Sequence, residues 1–228
     1  MLIKDWMTKD VLTVDENTSL MRATRMMKEN SIRRLPVVSH GKLIGIVTDR
    51  DVKDASPSKT TSLDIHELYY LLSEMKVKDV MTSKPVTLTG DDTLEKAAVV
   101  MLEDKISGMP IVDKLDHLIG LLSETDVLRG FIHSTGIQDG TVQFVFDLPD
   151  KPGSVTQVIE KLRKHDARVL SILTSFLDAE QGCKRVAVRI AAKDNASIDE
   201  LSKELSADYT IVYQGRDELK SLPKKKVK

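Results

Sequence analysis

Thr48 and Asp51 place a hydroxyl and a carboxylate three residues apart at the end of the phrase Gly45-Ile46-Val47-Thr48-Asp49-Arg50-Asp51. Ser123 and Asp126 do the same in Gly120-Leu121-Leu122-Ser123-Glu124-Thr125-Asp126. A carboxylate accepts both O–H groups of a vicinal diol such as ribose, and a neighbouring hydroxyl can bond ribose or phosphate. The start of a helix favours phosphate. The same spacing also fits a capping box, in which the hydroxyl and the acid satisfy backbone N–H groups at a helix N-terminus. A cap stabilises a helix by about 1 kcal/mol. The residues alone leave both readings open. The glycine ahead of each phrase permits close approach of another backbone or of a ligand.

The elements that must hold these pairs come as a repeat. Residues 5–14 match 79–88, and 19–38 match 93–112, both at an offset of 74; the two motif phrases match at an offset of 75. Each copy reads as strand, helix, strand, strand, helix. The first strands are expected at "VLTV" (11–14) and "PVTL" (85–88). Leu20, Ala23, Thr24 and Met27, and Leu94, Ala97, Ala98 and Met101, mark one apolar face of a helix. "RLPVV" and "GMPIV" read as strands that tolerate a proline. "LIGIV" and "LIGLL" read as strands buried on both faces. Between the copies, residues 56–76 read as a polar loop that becomes a helix after Ser62 or Asp64.

Beyond "STGIQDG" (134–140), read as a linker, the pattern changes. Val142, Phe144, Phe146 and Leu148 alternate as in a half-buried strand. "DKPG" (150–153) breaks the chain, and Val155, Val158, Ile159 and Leu162 mark a helix. Strands at about 167–177 and 184–191, a helix on Ile198, Leu201 and Leu205, and the strand "YTIVY" complete a βαββαβ order, which is ferredoxin-like. The expected division is 1–55, 56–76, 77–133, 134–140, 141–215 and a basic disordered tail at 216–228.

The phrase G-h-h-T/S-x-x-D in two copies strongly resembles a tandem pair of CBS domains, a Bateman module. The lead-ins Asp5-Trp6-Met7-Thr8 and Asp79-Val80-Met81-Thr82 fit it, as do Leu35-Pro36-Val37 and Met109-Pro110-Ile111. The resemblance covers residues 1–133. It implies a mixed α/β pseudo-two-fold module with two clefts for an adenosyl effector: AMP, ADP, ATP or S-adenosylmethionine. It assigns the ribose diol to Asp51 and Asp126, and ribose or phosphate to Thr48 and Ser123. Base contacts would come from Val11, Leu12 and Thr13 in one copy, and from Pro85, Val86 and Thr87 in the other. Residues 142–213 resemble an ACT domain through Asp150-Lys151-Pro152-Gly153 and the βαββαβ order. That implies pairing into a homodimer, or an amino-acid site near Asp150, Pro152, Gly153 and Arg168. The departure Asp166-Ala167-Arg168, where amino-acid-binding members often carry Gly-h-Asn, speaks against amino-acid binding and puts pairing without a ligand at least on a par with it. The whole order resembles the CBS–ACT proteins called AcuB-like, after acetoin utilisation.

The copies are not equal. Arg33 and Arg34 stand where the second copy has Ser107 and Gly108, and Lys84 stands where the first has Asp10. Arginine suits phosphate, so a polyphosphate is expected in the cleft near Arg33 and Arg34, with the other cleft weaker or taking a less charged ligand. The alternative is that both are solvated cations at a helix end.

Lys+Arg 34 against Asp+Glu 35 gives no general reason to expect nucleic acid or an anionic membrane as a partner. No apolar run approaches a membrane span, and one cysteine, Cys183, suits a reducing cytoplasm. No phosphate loop, nucleophile elbow or dinucleotide fingerprint is present, and the five histidines are too dispersed for a local metal pair. No catalytic constellation or catalytic cofactor is therefore expected; the resemblance implies a regulatory protein acting on an unidentified target enzyme, with a constitutive dimerisation scaffold or an enzyme's accessory subunit as alternatives.

Overall fold

The computed structural model describes residues 1–56, 70, 72–177, 179–191 and 195–223. The chain divides into two compact units, Met1–Gly130 and Phe131–Lys228. Of the helix expected after Ser62 or Asp64, residues 70 and 72–74 are helical; residues 57–69 and 71, and the lysine-rich end at 224–228, lie outside the described residues.

In the first unit, copy one supplies α1 (Leu20–Glu29), β1 (Arg34–Ser39), β2 (Lys42–Thr48) and α2 (Asp49–Ala55). Copy two supplies β3 (Thr82–Ser83), β4 (Leu88–Thr89), α3 (Leu94–Glu103), β5 (Gly108–Val112), β6 (Leu118–Ser123) and α4 (Glu124–Ser134). The helical periodicities are realised: α1 buries Leu20, Ala23 and Met27, and α3 buries Leu94, Ala97 and Met101. Ser19 and Thr93 cap them by accepting from the N–H three residues on. β1 and β2 form an antiparallel hairpin, as do β5 and β6.

Two expectations are corrected. Residues 11–14 do not form a strand: only Val14 bridges Val37. In the second copy the ladder begins at Leu88, with Pro85–Thr87 outside it. Pro85 has no N–H to give a ladder, which suits the late start in the second copy; its counterpart Val11 donates its N–H to the Lys9 carbonyl at 3.1 Å instead. β2 is buried at Gly45, Ile46 and Val47, but β6 alternates, with Ile119 and Leu121 not buried. "LIGLL" is thus covered on one face only.

The copies interlock. Thr82 and Ser83 of the second lead-in pair with Ile46 and Gly45 of the first copy. Thr8 of the first lead-in exchanges backbone hydrogen bonds of 3.0 and 2.9 Å with Leu121 of the second. Ile3 and Lys4 donate to Asp92 and Gly90 of copy two, while Val77 and Lys78 donate to Thr18 and Glu16 of copy one. Val77 and Leu72 accordingly lie in one core with Val14, Leu20, Leu35, Val37 and Val47. The phrase glycines make the interlock possible. A Cβ on Gly45 would lie 2.6 Å from Met81 Sδ and 3.1 Å from the Thr82 carbonyl oxygen; one on Gly120 would strike Met7 Sδ. The close approach that these glycines allow is to the opposite copy's lead-in.

The second unit is β7 (Val142–Pro149), α5 (Ser154–Lys164), β8 (Arg168–Ser175), β9 (Cys183–Ala191), α6 (Asn195–Asp208) and β10 (Thr210–Arg216). Its antiparallel sheet has the order β10-β7-β9-β8. Phe144, Phe146, Leu148, Val186, Val188 and Ile190 face Val158, Leu162, Ile198, Leu201 and Leu205 of the helices in one core. Gly153 takes φ +85° at the start of α5, a conformation that accounts for a glycine there. Residues 216–223, expected in a disordered tail, hold the end of β10 and a 3₁₀ turn at Leu219–Ser221. Buried Arg189 draws this segment in by donating to Asp217 (2.9 Å), the Thr135 carbonyl (2.8 Å) and Gln143 (2.6 Å). No helix among the described residues is long and apolar enough to cross a membrane.

Candidate functional site

Both motif pairs form the capping box. The Asp51 Oδ2 accepts from the Thr48 N–H and hydroxyl, each at 2.7 Å, and the Thr48 hydroxyl accepts from the Asp51 N–H at 3.3 Å. Asp126 and Ser123 repeat this at 3.0, 2.6 and 3.3 Å. Capping and ligand binding are not exclusive, because a carboxylate has two oxygens. Asp51 Oδ1 accepts no hydrogen bond among the described residues, whereas Asp126 Oδ1 accepts from Arg129 at 2.9 Å. Arg129 is 64% exposed, so that bond is weak and readily exchanged for another.

Each pair opens onto a cleft. The first, of about 740 Å³, is lined by Thr48 and Asp51 together with Thr82, Pro85 and Val86 of the opposite lead-in. The second, of about 590 Å³, is lined by Ser123 and Asp126 with Thr8, Val11 and Leu12. Each cleft thus joins the motif of one copy to the lead-in of the other. Val11 and Leu12 in one cleft and Pro85 and Val86 in the other line it with apolar residues, of which Leu12 and Val86 are 41% and 43% exposed. Thr13, Thr87 and Lys84 line neither cleft.

The arginines do not belong to one cleft, as the sequence suggested; Arg33 and Arg34 line both. Arg34 reaches across to the matched positions of the second copy. Its Nη2 donates to Ser107 Oγ at 2.7 Å, and a Cβ on Gly108 would collide with its guanidinium, 2.8 Å from Cζ. Burial, then Arg33, pulls the Arg34 guanidinium below the usual arginine range, against the pull of Asp49, Glu124 and Asp126. The other lining charges differ between the clefts. The first adds Arg50, Lys53 and Lys105 against Asp49, Asp51 and Asp54. The second adds only Asp10, Glu124 and Asp126. This shared seat was not visible in the sequence, although the mismatch of Arg33-Arg34 with Ser107-Gly108 was its signal.

In the second unit, Asp150 pairs with Lys184 at 3.4 Å and Arg168 is exposed at the start of β8. A cavity of about 30 Å³ lies beside Asp166, Ala167 and Ile198, and neither Asp150, Pro152, Gly153 nor Arg168 lines it. No group of three or more His, Cys, Asp or Glu that could hold a metal occurs among the described residues.

The CBS domain family matches residues 3–58 and 77–133. A CBS domain-containing protein of Dictyostelium discoideum is 35% identical over 128 residues, 56% of this chain and 88% of that protein. The chain belongs to the CBS-domain proteins. The CBS-pair protein CBSX2 of Arabidopsis thaliana has a TM-score of 0.52 at 27% identity, covering 60% of this chain and 98% of its own. An acetoin utilization protein (AcuB) of Vibrio cholerae is 28% identical with a TM-score of 0.48, covering 58% of this chain and 90% of its own. Seven further relatives, 30–35% identical and including several enzymes, are spanned over only 22–47% of their length. The two CBS matches span nearly all of the first unit and end three residues beyond it.

Proposed function

We propose that the CBS pair is a regulatory sensor that binds an adenosyl effector, AMP, ADP, ATP or S-adenosylmethionine, without turning it over. One observation carries this reading: each cleft is built from the motif of one copy and the lead-in of the other. A ligand seated there touches both copies and so bears on how they pack. The effector must favour one packing over another, since equal affinity for both shifts nothing. Thr48 and Asp51 hold ribose through the hydroxyl and Asp51 Oδ1, and the base lies along Pro85 and Val86. Ser123 and Asp126 do the same opposite Val11 and Leu12. That matched enzymes contain the segment as about a quarter of their length supports control of a target enzyme.

The second unit is read as an ACT domain that pairs two copies of the chain in the cytoplasm. Its support is the βαββαβ order, the Gly153 turn and an outward row of Leu173, Ala187, Val145 and Tyr213, in register across the sheet. Leu173 is 47% and Tyr213 54% exposed. Ser154, buried at the start of α5 with no partner for its hydroxyl among the described residues, leaves a ligand at this turn as the second use.

Thermal unfolding with AMP, ADP, ATP and S-adenosylmethionine tests the sensor. A ligand at 100 times its Kd stabilises by about 2.7 kcal/mol. The shift is expected in wild type, smaller in Asp51→Ala and in Asp126→Ala, and lost when both acids are replaced, each protein read against its own ligand-free baseline. No shift with any adenosyl compound, with both Asp51→Ala and Asp126→Ala melting lower, would leave the acids as caps in a scaffold.

A further inference from the structure

The two clefts are not independent, because they share two cationic residues. Arg33 and Arg34 line both. Arg34 is seated at the boundary between the copies by the Ser107 hydroxyl and by the bare backbone of Gly108. The sequence asymmetry has a steric reason: one guanidinium fills the place that its counterpart position leaves vacant, and two could not. Without this pair the clefts differ sharply. The first keeps Arg50, Lys53 and Lys105 beside its acids, whereas the second keeps only Asp10, Glu124 and Asp126. An anion in the first cleft that engages the shared guanidinium groups therefore leaves the second with Asp10, Glu124 and Asp126, of which Asp126 keeps only the exposed Arg129 as a cationic partner among the described residues, in a setting where like charges repel.

We propose that the clefts are negatively coupled for phosphate-bearing ligands through the shared Arg33–Arg34 pair. A nucleotide polyphosphate takes the Thr48–Asp51 cleft and disfavours a second one in the Ser123–Asp126 cleft, which then accepts an adenosyl compound that carries no phosphate. The inference rests on the adenosyl reading of these clefts and adds an order of occupancy to it. A chain of this kind would report the balance of two adenosyl classes, not the amount of one.

Calorimetric titration with ATP, and with S-adenosylmethionine after ATP saturation, tests it. Wild type is expected to bind one ATP tightly, with a second weaker by tenfold or more, within the usual range of coupling between sites. S-adenosylmethionine is expected still to bind the ATP-saturated protein. Asp51→Asn, which keeps an acceptor for the cap, weakens the first cleft and frees the arginines. The Ser123–Asp126 cleft should then bind ATP more tightly than the second site of wild type does. Arg34→Ala should weaken ATP at the first cleft and bring the two sites closer in affinity. Two equal ATP sites in wild type, or a second site unchanged by Asp51→Asn, would overturn the coupling while leaving the sensor intact. No heat with either compound in any variant would overturn the sensor and the coupling together.

Discussion

At the scale of single residues, the repeated phrase has three separate uses. The hydroxyl and acid cap a helix, the acid's second oxygen stays outside the cap (open at Asp51, bonded to Arg129 at Asp126), and the glycine admits the opposite copy. The glycine is the least forgiving of the three. A methyl on Gly45 falls 2.6 Å from Met81 Sδ, the side of the lead-in that pairs with β2. Gly45→Ala is therefore expected to destabilise the protein by about 1–3 kcal/mol, as overpacking does. In a Met81→Ala background the same change should cost clearly less, because the side chain it strikes is gone. The Thr82 carbonyl at 3.1 Å leaves a residual penalty. Chemical denaturation of the four proteins of this cycle measures it. An equal cost in both backgrounds would show that the methionine is not what the glycine accommodates.

At the scale of elements, α3 is tied down ahead of its first turn by Asp92. This carboxylate accepts from the Thr89 N–H (2.8 Å), the Thr89 hydroxyl (2.9 Å) and Lys96 Nζ (2.6 Å). Lys96 first, then the Thr89 backbone, holds it down at about 2, against an ordinary value of 3.8. A depressed carboxylate contributes stability above its unfolded value and loses it as pH falls through the folded one. Stability should therefore drop between about pH 4 and pH 2, and Asp92→Asn should flatten that part of the curve. Unfolding midpoints in urea across this range provide the check. The helix faces were legible in the sequence, because Leu94, Ala97 and Met101 follow a period that only burial against one surface explains. The same holds for Val158 and Leu162, and for Ile198, Leu201 and Leu205. The segments at 11–14 and 85–88 were not legible as they stand. Apolar residues and a β-rich composition say extended, but not whether a ladder partner is present. The caps were readable from spacing. The seat of Arg34 was not, since a mismatch between two copies does not reveal that the mismatched positions touch.

At the scale of the whole molecule, the interlocked lead-ins separate sequence repeat from folding unit. Local periodicity identifies each copy but carries no information on which lead-in packs with which core. Residues 1–56 contain all of copy one, yet Ile3, Lys4 and Thr8 bond to copy two. The core of copy one takes Leu72 and Val77 from beyond residue 56, with Met75, Val80 and Met81 packed against it. A fragment of residues 1–56 thus exposes an apolar face and the free edge of β2, where Thr82 and Ser83 belong. A fragment of residues 10–84 keeps both. The longer fragment is expected to unfold cooperatively and to protect the amides of β1 and β2 from hydrogen exchange, and the shorter one to do neither. If residues 1–56 fold as well alone, the exchange of lead-ins is a decoration on two autonomous domains. A ligand bridging lead-in and motif would then have little leverage on how the copies pack. If only 10–84 folds, each cleft sits on contacts that the fold itself requires, and occupancy of a cleft bears directly on the stability of the pair.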